Sequence, residues 1–283
     1  MRLVRLGPIG SERPAVMVPG SDHEAFDVSG LVDDFDAEFF DGGGTARLAA
    51  AVEAGRLPRV DLHSGRVGAP IPRPHAIYGI GLNYRDHARE VGMEPPAEPV
   101  VFTKAPNSLV GPHDDVVLPP GSTSTDWEVE LGVVIGRRTR YLGSPAEAAD
   151  HIAGFVAVND VSERDAQLNH GGQWVKGKSF ETFNPAGPFL VTLDEVADPA
   201  ALRLRLSVNG EVMQDGTTAD LVFDPFHLVW YLSQFVVLEP GDLIDTGTPA
   251  GVGMGRTPPR HLRAGDVVEL DITGLGGHRT LVR

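Results

Sequence analysis

Glu128 and Glu130 stand two apart in the string Asp126-Trp127-Glu128-Val129-Glu130-Leu131. On a β-strand that spacing sends both carboxylates to one face and Val129 and Leu131 to the other. Two carboxylates on one face repel unless solvent or a cation lies between them. An E-x-E pair is often a solvated edge face. Here Trp127 before the pair and an apolar run after it predict a central strand. Asp160 closes a second apolar run, Phe155-Val156-Ala157-Val158-Asn159. An acidic residue at a strand end is often only a turn former, and Asn-Asp is good turn chemistry. As a group, three oxygen donors from two strands would suit Mg²⁺ or Mn²⁺, hard cations that prefer oxygen ligands.

A base is available in Gly81-Leu82-Asn83-Tyr84-Arg85-Asp86-His87-Ala88-Arg89-Glu90. An apolar strand runs into glycines, and Asn83 is placed to cap a short helix ending near Gly92. In that helix His87 and Glu90 are three apart and share a face. A carboxylate beside an imidazole orients it and raises its basicity, as a general base acting on water requires. The bland alternative is an incidental surface pair, since such pairs are common.

Two glycine strings imitate phosphate-binding loops. Gly172-Gln173-Trp174-Val175-Lys176-Gly177-Lys178-Ser179 satisfies the P-loop pattern G-x-x-x-x-G-K-[ST]. That loop needs a strand before it and a helix after it. The preceding residues are polar, and Asn184-Pro185 and Gly187-Pro188 follow, so the context rejects it. Gly251-Val252-Gly253-Met254-Gly255 leads into prolines and is no dinucleotide turn.

The elements that must position these groups are mostly strands. Strand-like runs cover 3–6, 15–18, Val129–Ile135, 155–158, 189–192, 202–208 and Val267–Ile272. Asn209-Gly210 marks a hairpin turn. A helix is expected over 46–54, stopped by Gly55. Another starts with Asp224 as N-cap and Pro225 in its first turn. Its apolar residues, Phe226, Val229, Trp230, Leu232 and Phe235, spread over nearly every face, which predicts burial. The proline-rich run 69–74 reads as a linker. The expected architecture is therefore α+β: a large mixed sheet over 71–283, plus a small N-terminal β-rich domain over 1–70.

Composition narrows the chemistry. The chain has 283 residues, a net charge of −15 and no cysteine. That acidity disfavours phosphate backbones and acidic membrane surfaces. Without cysteine there is no disulfide, thiolate nucleophile or zinc–thiolate site. No apolar run approaches the roughly 18 residues of a membrane span. The N-terminus shows no apolar signal region, which sets a cytoplasmic location as the expectation.

Five strings taken together resemble the fumarylacetoacetate hydrolase family: GLNYRDHARE at 81–90, DWEVELGVVIG at 126–136, NDVSERDAQ at 159–167, GKSF at 177–180 and LEPGDLIDTGTPAGV at 238–252. The likeness runs from about residue 77 to 282, and 173–191 is most similar to the branch acting on 2,4-diketo-3-deoxy sugar acids. Glu163 departs from it, standing where members often carry a small residue.

The resemblance implies a β-rich fold particular to the family, a homodimer, and Mg²⁺ or Mn²⁺ held by Glu128, Glu130 and Asp160. It implies that the His87–Glu90 segment orders over bound substrate. By motif position, Lys178 is catalytic and Arg164, Gln167 and Thr248 are substrate- or metal-adjacent, with Lys104 a weaker candidate. The activity implied is hydrolysis of a C–C bond in a 2,4-dioxo acid, an acylpyruvate or a diketo-deoxy sugar acid, with release of pyruvate. Decarboxylation of oxaloacetate, or isomerisation of an unsaturated dioxo acid, would use the same metal site. A non-catalytic metal-dependent binder of oxo acids is the alternative from another class.

Overall fold

In the computed structural model, which describes residues 1–283, the strand carrying Glu130 lies deep inside an 11-stranded mixed sheet. From one edge the strands run Arg59–Asp61, Glu24–Asp27, Arg13–Met17, Arg2–Leu6, Asn184–Val191, Ile152–Asn159, Val129–Ile135, Leu243–Asp245, Ile77–Gly81 and Val100–Lys104. The short strand Leu109–Val110 pairs beside Asn184–Val191. Neighbours are antiparallel except Leu243–Asp245 with Ile77–Gly81, and Leu109–Val110 with Asn184–Val191.

Every residue of Val129–Ile135 is buried. A strand covered on both faces must be apolar on both, and this one alternates its loyalties. Leu131, Val133 and Ile135 join a core shared with a second, four-stranded sheet through Leu204, Leu206, Val268 and Leu270. Val134 faces the opposite core, with Val156, Val158 and Leu243.

That opposite core is completed by the N-terminal residues. Phe35, Phe39, Phe40 and Leu48 pack there with Leu3 and Phe26. Two helices, Ala37–Asp41 and Gly44–Glu53, carry Phe39, Phe40 and Leu48, and Phe35 lies just ahead of the first. The second matches the expected helix to within two residues, with Gly55 at φ 69° beyond its end. The first lies hidden in an acidic stretch, where the Asp36 side chain accepts the Phe39 N–H at 2.9 Å. Such a cap contributes about 1 kcal/mol.

Residues 1–70, expected as a domain apart, extend the large sheet without a break. Arg2–Leu6 pairs antiparallel with Asn184–Val191, Leu3 standing opposite Leu190. Ile71, in the proline-rich run, is buried in the same core as Leu3 and Val134. Four short strands cannot bury two faces on their own, and pairing with Asn184–Val191 satisfies an edge that would otherwise be open. The chain therefore has one continuous sheet across the expected boundary near residue 70.

The helix Pro225–Ser233 begins as expected, with Asp224 accepting the His227 N–H at 2.9 Å. It is less buried than expected. Leu228, Val229 and Leu232 are in the core, while Phe226, Trp230 and Tyr231 are half-buried and Phe235, just past the end, is exposed. Its aromatic residues cover one another instead: the Tyr231 and Phe235 ring centres lie 4.9 Å apart. The Asn209-Gly210 turn has positive φ at both residues, 53° and 80°, and joins Arg203–Val208 to Glu211–Thr217.

Candidate active site

Register builds the carboxylate centre. Val158 pairs with Glu130 and Asn159 with Val129 across the antiparallel ladder. One step further, Asp160 stands opposite Glu128, and its N–H donates to the Glu128 carbonyl at 2.9 Å. The Asn159 side chain accepts the Glu128 N–H at 3.0 Å and locks the strand ends together. Glu128 and Glu130 share a face by the period of two, and Asp160 joins them from the next strand. All three side chains are buried, with ligand oxygens within 4.8 Å of one another.

Three buried cations surround this centre. Lys178 Nζ donates to Glu128 Oε2 and to Asp160 Oδ2, both at 2.6 Å. Lys104 Nζ donates to the other oxygen of Asp160, and to the Phe183 carbonyl at 2.8 Å. Arg164 lies 2.7 Å from Glu128 Oε1 and 2.8 Å from Asp126 Oδ2. Unpaired buried charges cost several kcal/mol each, about 3–5 kcal/mol when a partner is removed, so these pairs are mutually required.

Neutralisation is uneven. Burial pushes the Glu128 carboxyl up, but Lys178 and Arg164 outweigh it and hold Glu128 below the usual carboxylate range. Glu130 is pushed well up by burial and then by the charges of Asp160 and Glu128. Its partner is the Gly247 N–H, at 2.7 Å. The cations of the chain thus serve Glu128 and Asp160 and leave Glu130 short of positive charge. A divalent cation among the three carboxylates fits that deficit. An all-oxygen set of three also fits Mg²⁺ or Mn²⁺, which leave further positions for water or substrate.

His87 and Glu90 lie on the helix Arg85–Glu90. His87 Nδ1 is 3.0 Å from Glu90 Oε2, and Glu90 Oε1 accepts the Gly251 N–H at 2.9 Å. The imidazole is thereby anchored through Nδ1, and Nε2 is left without a protein partner. His87 shares one cavity with Glu128, Glu130, Lys178, Arg164, Gln167 and Thr248. Lys104 lies behind Asp160 rather than in the cavity lining. Thr248 Oγ1 donates to the Val129 carbonyl at 2.9 Å and accepts from Gln214 at 2.7 Å. Gln167 Oε1 accepts from Arg164 at 3.0 Å.

Some local expectations change. Asn83 does not cap the His87 helix; Tyr84 holds that position. The Asn83 amide instead donates to the Thr246 and Phe223 carbonyls, at 2.8 and 3.0 Å, tying the helix entry to the TGTPAG loop. The false P-loop forms a single helical turn, Val175–Lys178, whose lysine binds carboxylates. In the second glycine string, Gly253 and Met254 N–H groups do grip an anion, but it is the Asp126 carboxylate, at 2.7 and 3.0 Å. Glu163 touches none of the three carboxylates. It accepts from Ser122, Ser124 and Thr125. Burial pushes its carboxyl up and those bonds bring it below its ordinary value.

Asp126, Trp174 and Phe102 belong to the site and were not singled out as site residues in the sequence. Asp126 anchors Arg164 Nε at 2.9 Å, and its place beside Trp127 was the available signal. Trp174 and Phe102, their rings 5.5 Å apart, form a wall of the cavity. Nothing local marks them as neighbours.

A buried carboxylate trio braced by lysines, beside a cavity that Glu128, Glu130 and His87 line, forms a centre that could hold a divalent cation. The chain matches the fumarylacetoacetate hydrolase C-terminal family over residues 76–283 and belongs to that family. A Burkholderia multivorans protein, whose name goes no further than hydrolase, is 49% identical over 284 residues, covering 100% of this chain and 99% of its own. Maleylpyruvate hydrolase from Sphingobium sp. SYK-6, solved with manganese(II) and pyruvate, is 29% identical with a TM-score of 0.82, covering 100% of this chain and 98% of its own. A 2-hydroxyhepta-2,4-diene-1,7-dioate isomerase from Mycobacterium marinum is 32% identical with a TM-score of 0.77, at 100% and 98% coverage. The fold is thus the α+β mixed-sheet fold of this family. No helix is long and apolar enough to cross a membrane.

Proposed function

We propose that the chain hydrolyses a C–C bond in a 2,4-dioxo acid, an acylpyruvate or a diketo-deoxy sugar acid, releasing pyruvate. The supporting observation is one cavity lined by Glu128, Glu130, Lys178 and His87, with Asp160 held beside the two glutamates and Glu90 anchoring His87 from behind. A divalent cation on Glu128, Glu130 and Asp160, Mg²⁺ or Mn²⁺, would polarise the 2-oxo acid end of the substrate and favour its enolate. The manganese and pyruvate in the Sphingobium structure support that choice of ion and product.

The residues of the chain divide the remaining work. Glu90 holds His87 Nδ1, so Nε2 takes a proton from water as its oxygen bonds to C4. The C3–C4 bond then breaks, and its electron pair passes to C3 and the 2-oxo oxygen. The acyl half leaves as a carboxylic acid. His87 returns the proton to the pyruvate enolate. Lys178, 2.6 Å from two of the carboxylates, places a fixed positive charge beside the developing anion, the kind of preorganised term that lowers barriers most.

Turnover of acylpyruvates in H₂¹⁸O checks the reading. Hydrolysis places one label in the released acid; unlabelled products would overturn it. The isomerase reading is favoured by the Mycobacterium marinum relative. It needs proton transfer alone and would leave the carbon count of the substrate unchanged. Oxaloacetate decarboxylation needs no attacking water, and the His87–Glu90 pair would then have no base role.

A further inference from the structure

We infer that the acyl side of the substrate is small, apolar and uncharged; this narrows the 2,4-dioxo acid reading and rests on it. The polar groups of the cavity belong to its carboxylate end, and most are already committed. Lys178 is bonded to Glu128 and Asp160. Arg164 is bonded to Asp126, Glu128 and Gln167. Thr248 is held by Gln214 and the Val129 carbonyl. The spare side-chain polar atoms are His87 Nε2, which the reaction uses, the second Glu130 oxygen at the carboxylate end, Gln167 Nε2 and the Trp174 indole N–H.

Leading away from Lys178 the wall turns apolar. The Phe102 ring lies 5.0 Å from Lys178 Nζ, and Trp174 lies against Phe102. Leu82 and Met254 continue the lining, and Met93 and Leu168 reach the rim with 54% and 45% of their surfaces exposed. No lysine or arginine lines the cavity besides Lys178 and Arg164. A tail carboxylate, such as that of a maleyl or succinyl group, would lose water and meet no cation. The hydroxyls of a sugar-acid tail would find as side-chain partners only the Gln167 amide and the Trp174 indole N–H. An alkyl tail loses nothing there. In such pockets one methylene is worth about 10–200-fold in kcat/KM. The cavity of about 150 Å³ is the size that admits a benzene-sized guest, so a short alkyl tail fills it.

The test compares butanoylpyruvate with succinylpyruvate, equal in acyl carbon count, and with a 2,4-dioxo acid bearing a hydroxylated tail, all on Mg²⁺- or Mn²⁺-loaded enzyme. The expected kcat/KM is about 100-fold or more in favour of butanoylpyruvate. Leu168→Arg, at the rim, should narrow the butanoyl-to-succinyl ratio by about 10-fold through KM. A preference for either polar tail, or no preference, overturns the inference. Calorimetry with 2-oxohexanoate and 2-oxoadipate separates this outcome from the activity itself, since neither can be cleaved between C3 and C4 of a dioxo acid. Tighter binding of 2-oxohexanoate without dioxo acid turnover would leave the tail assignment standing and remove the hydrolase reading. Equal binding, tighter 2-oxoadipate, or no binding of either would overturn the tail assignment.

Discussion

Gly81 faces Trp174 so closely that a β-carbon on Gly81 would lie 2.4 Å from the indole ring. The neighbouring contact repeats it, for a β-carbon on Gly79 would fall 2.2 Å from the Phe102 ring. The two glycines of the Ile77–Gly81 strand thus let two aromatic rings sit flat against the sheet and form the cavity wall. Gly81→Ala must displace Trp174. Such overpacking costs about 1–3 kcal/mol. The expected result is a KM several-fold higher with kcat less affected, together with a changed indole fluorescence spectrum. An unchanged spectrum and KM would show that the ring moves aside freely.

His87 is held through Nδ1 by Glu90, and the proposed mechanism makes its free Nε2 the base. His87→Gln should lower kcat by about 10²–10⁴-fold, the usual contribution of a positioned base, with metal affinity unchanged by calorimetry. Glu90→Gln should cost less, because an amide can still meet the imidazole but no longer supports its positive charge. The double variant should be little worse than His87→Gln, since both act in one step. Full activity of His87→Gln would remove the base from the scheme.

Both oxygens of Asp160 accept from lysines, Lys104 and Lys178. Asp160→Asn replaces an anion with an amide that can satisfy at most one of them well. It should abolish detectable Mn²⁺ binding and lower stability by about 3–5 kcal/mol, as for a broken buried pair. Chelator treatment of the wild-type protein should also remove activity, and added Mg²⁺ or Mn²⁺ should restore it. A chelated enzyme that keeps its rate would exclude the carboxylates from a metal role.

How much of this was legible beforehand depended on sequence separation. The spacing of Glu128 and Glu130 with the apolar run behind them is a local signal, and so is His87 three residues from Glu90. Asp160 needed one further fact, the ladder register that sets it opposite Glu128. Asp126 as anchor for Arg164, and Trp174 against Gly81, depend on contacts between segments tens of residues apart, which no periodicity encodes. The same holds for residues 1–70. Their strands were readable, but not that Leu3 would stand opposite Leu190 and continue the large sheet. The helix Pro225–Ser233 shows the limit of composition: its aromatic side chains shield one another at the surface, so apolarity on every face did not require burial on every face.

His278 supplies a pH signal away from the carboxylates. Its Nε2 donates to the Ala157 and Gly187 carbonyls, at 3.0 and 2.9 Å, and the ring is buried. Burial lowers it to about 4 from an ordinary 6.5, against the two carbonyls that pull it up. The unfolded chain therefore binds a proton more readily than the folded one. The stabilisation is complete above pH ~6.5 and is lost as pH falls toward ~4, amounting to about 3 kcal/mol across that window. Asp245 runs the other way: burial pushes its carboxyl up to about 7, so its contribution declines as pH rises through the same window. Comparison with His278→Gln cancels Asp245 and keeps a donor for the carbonyls. The wild-type advantage over His278→Gln, measured by urea unfolding, should shrink between pH 7 and pH 4.5. A constant difference across that range would mean that His278 is not held neutral by the fold.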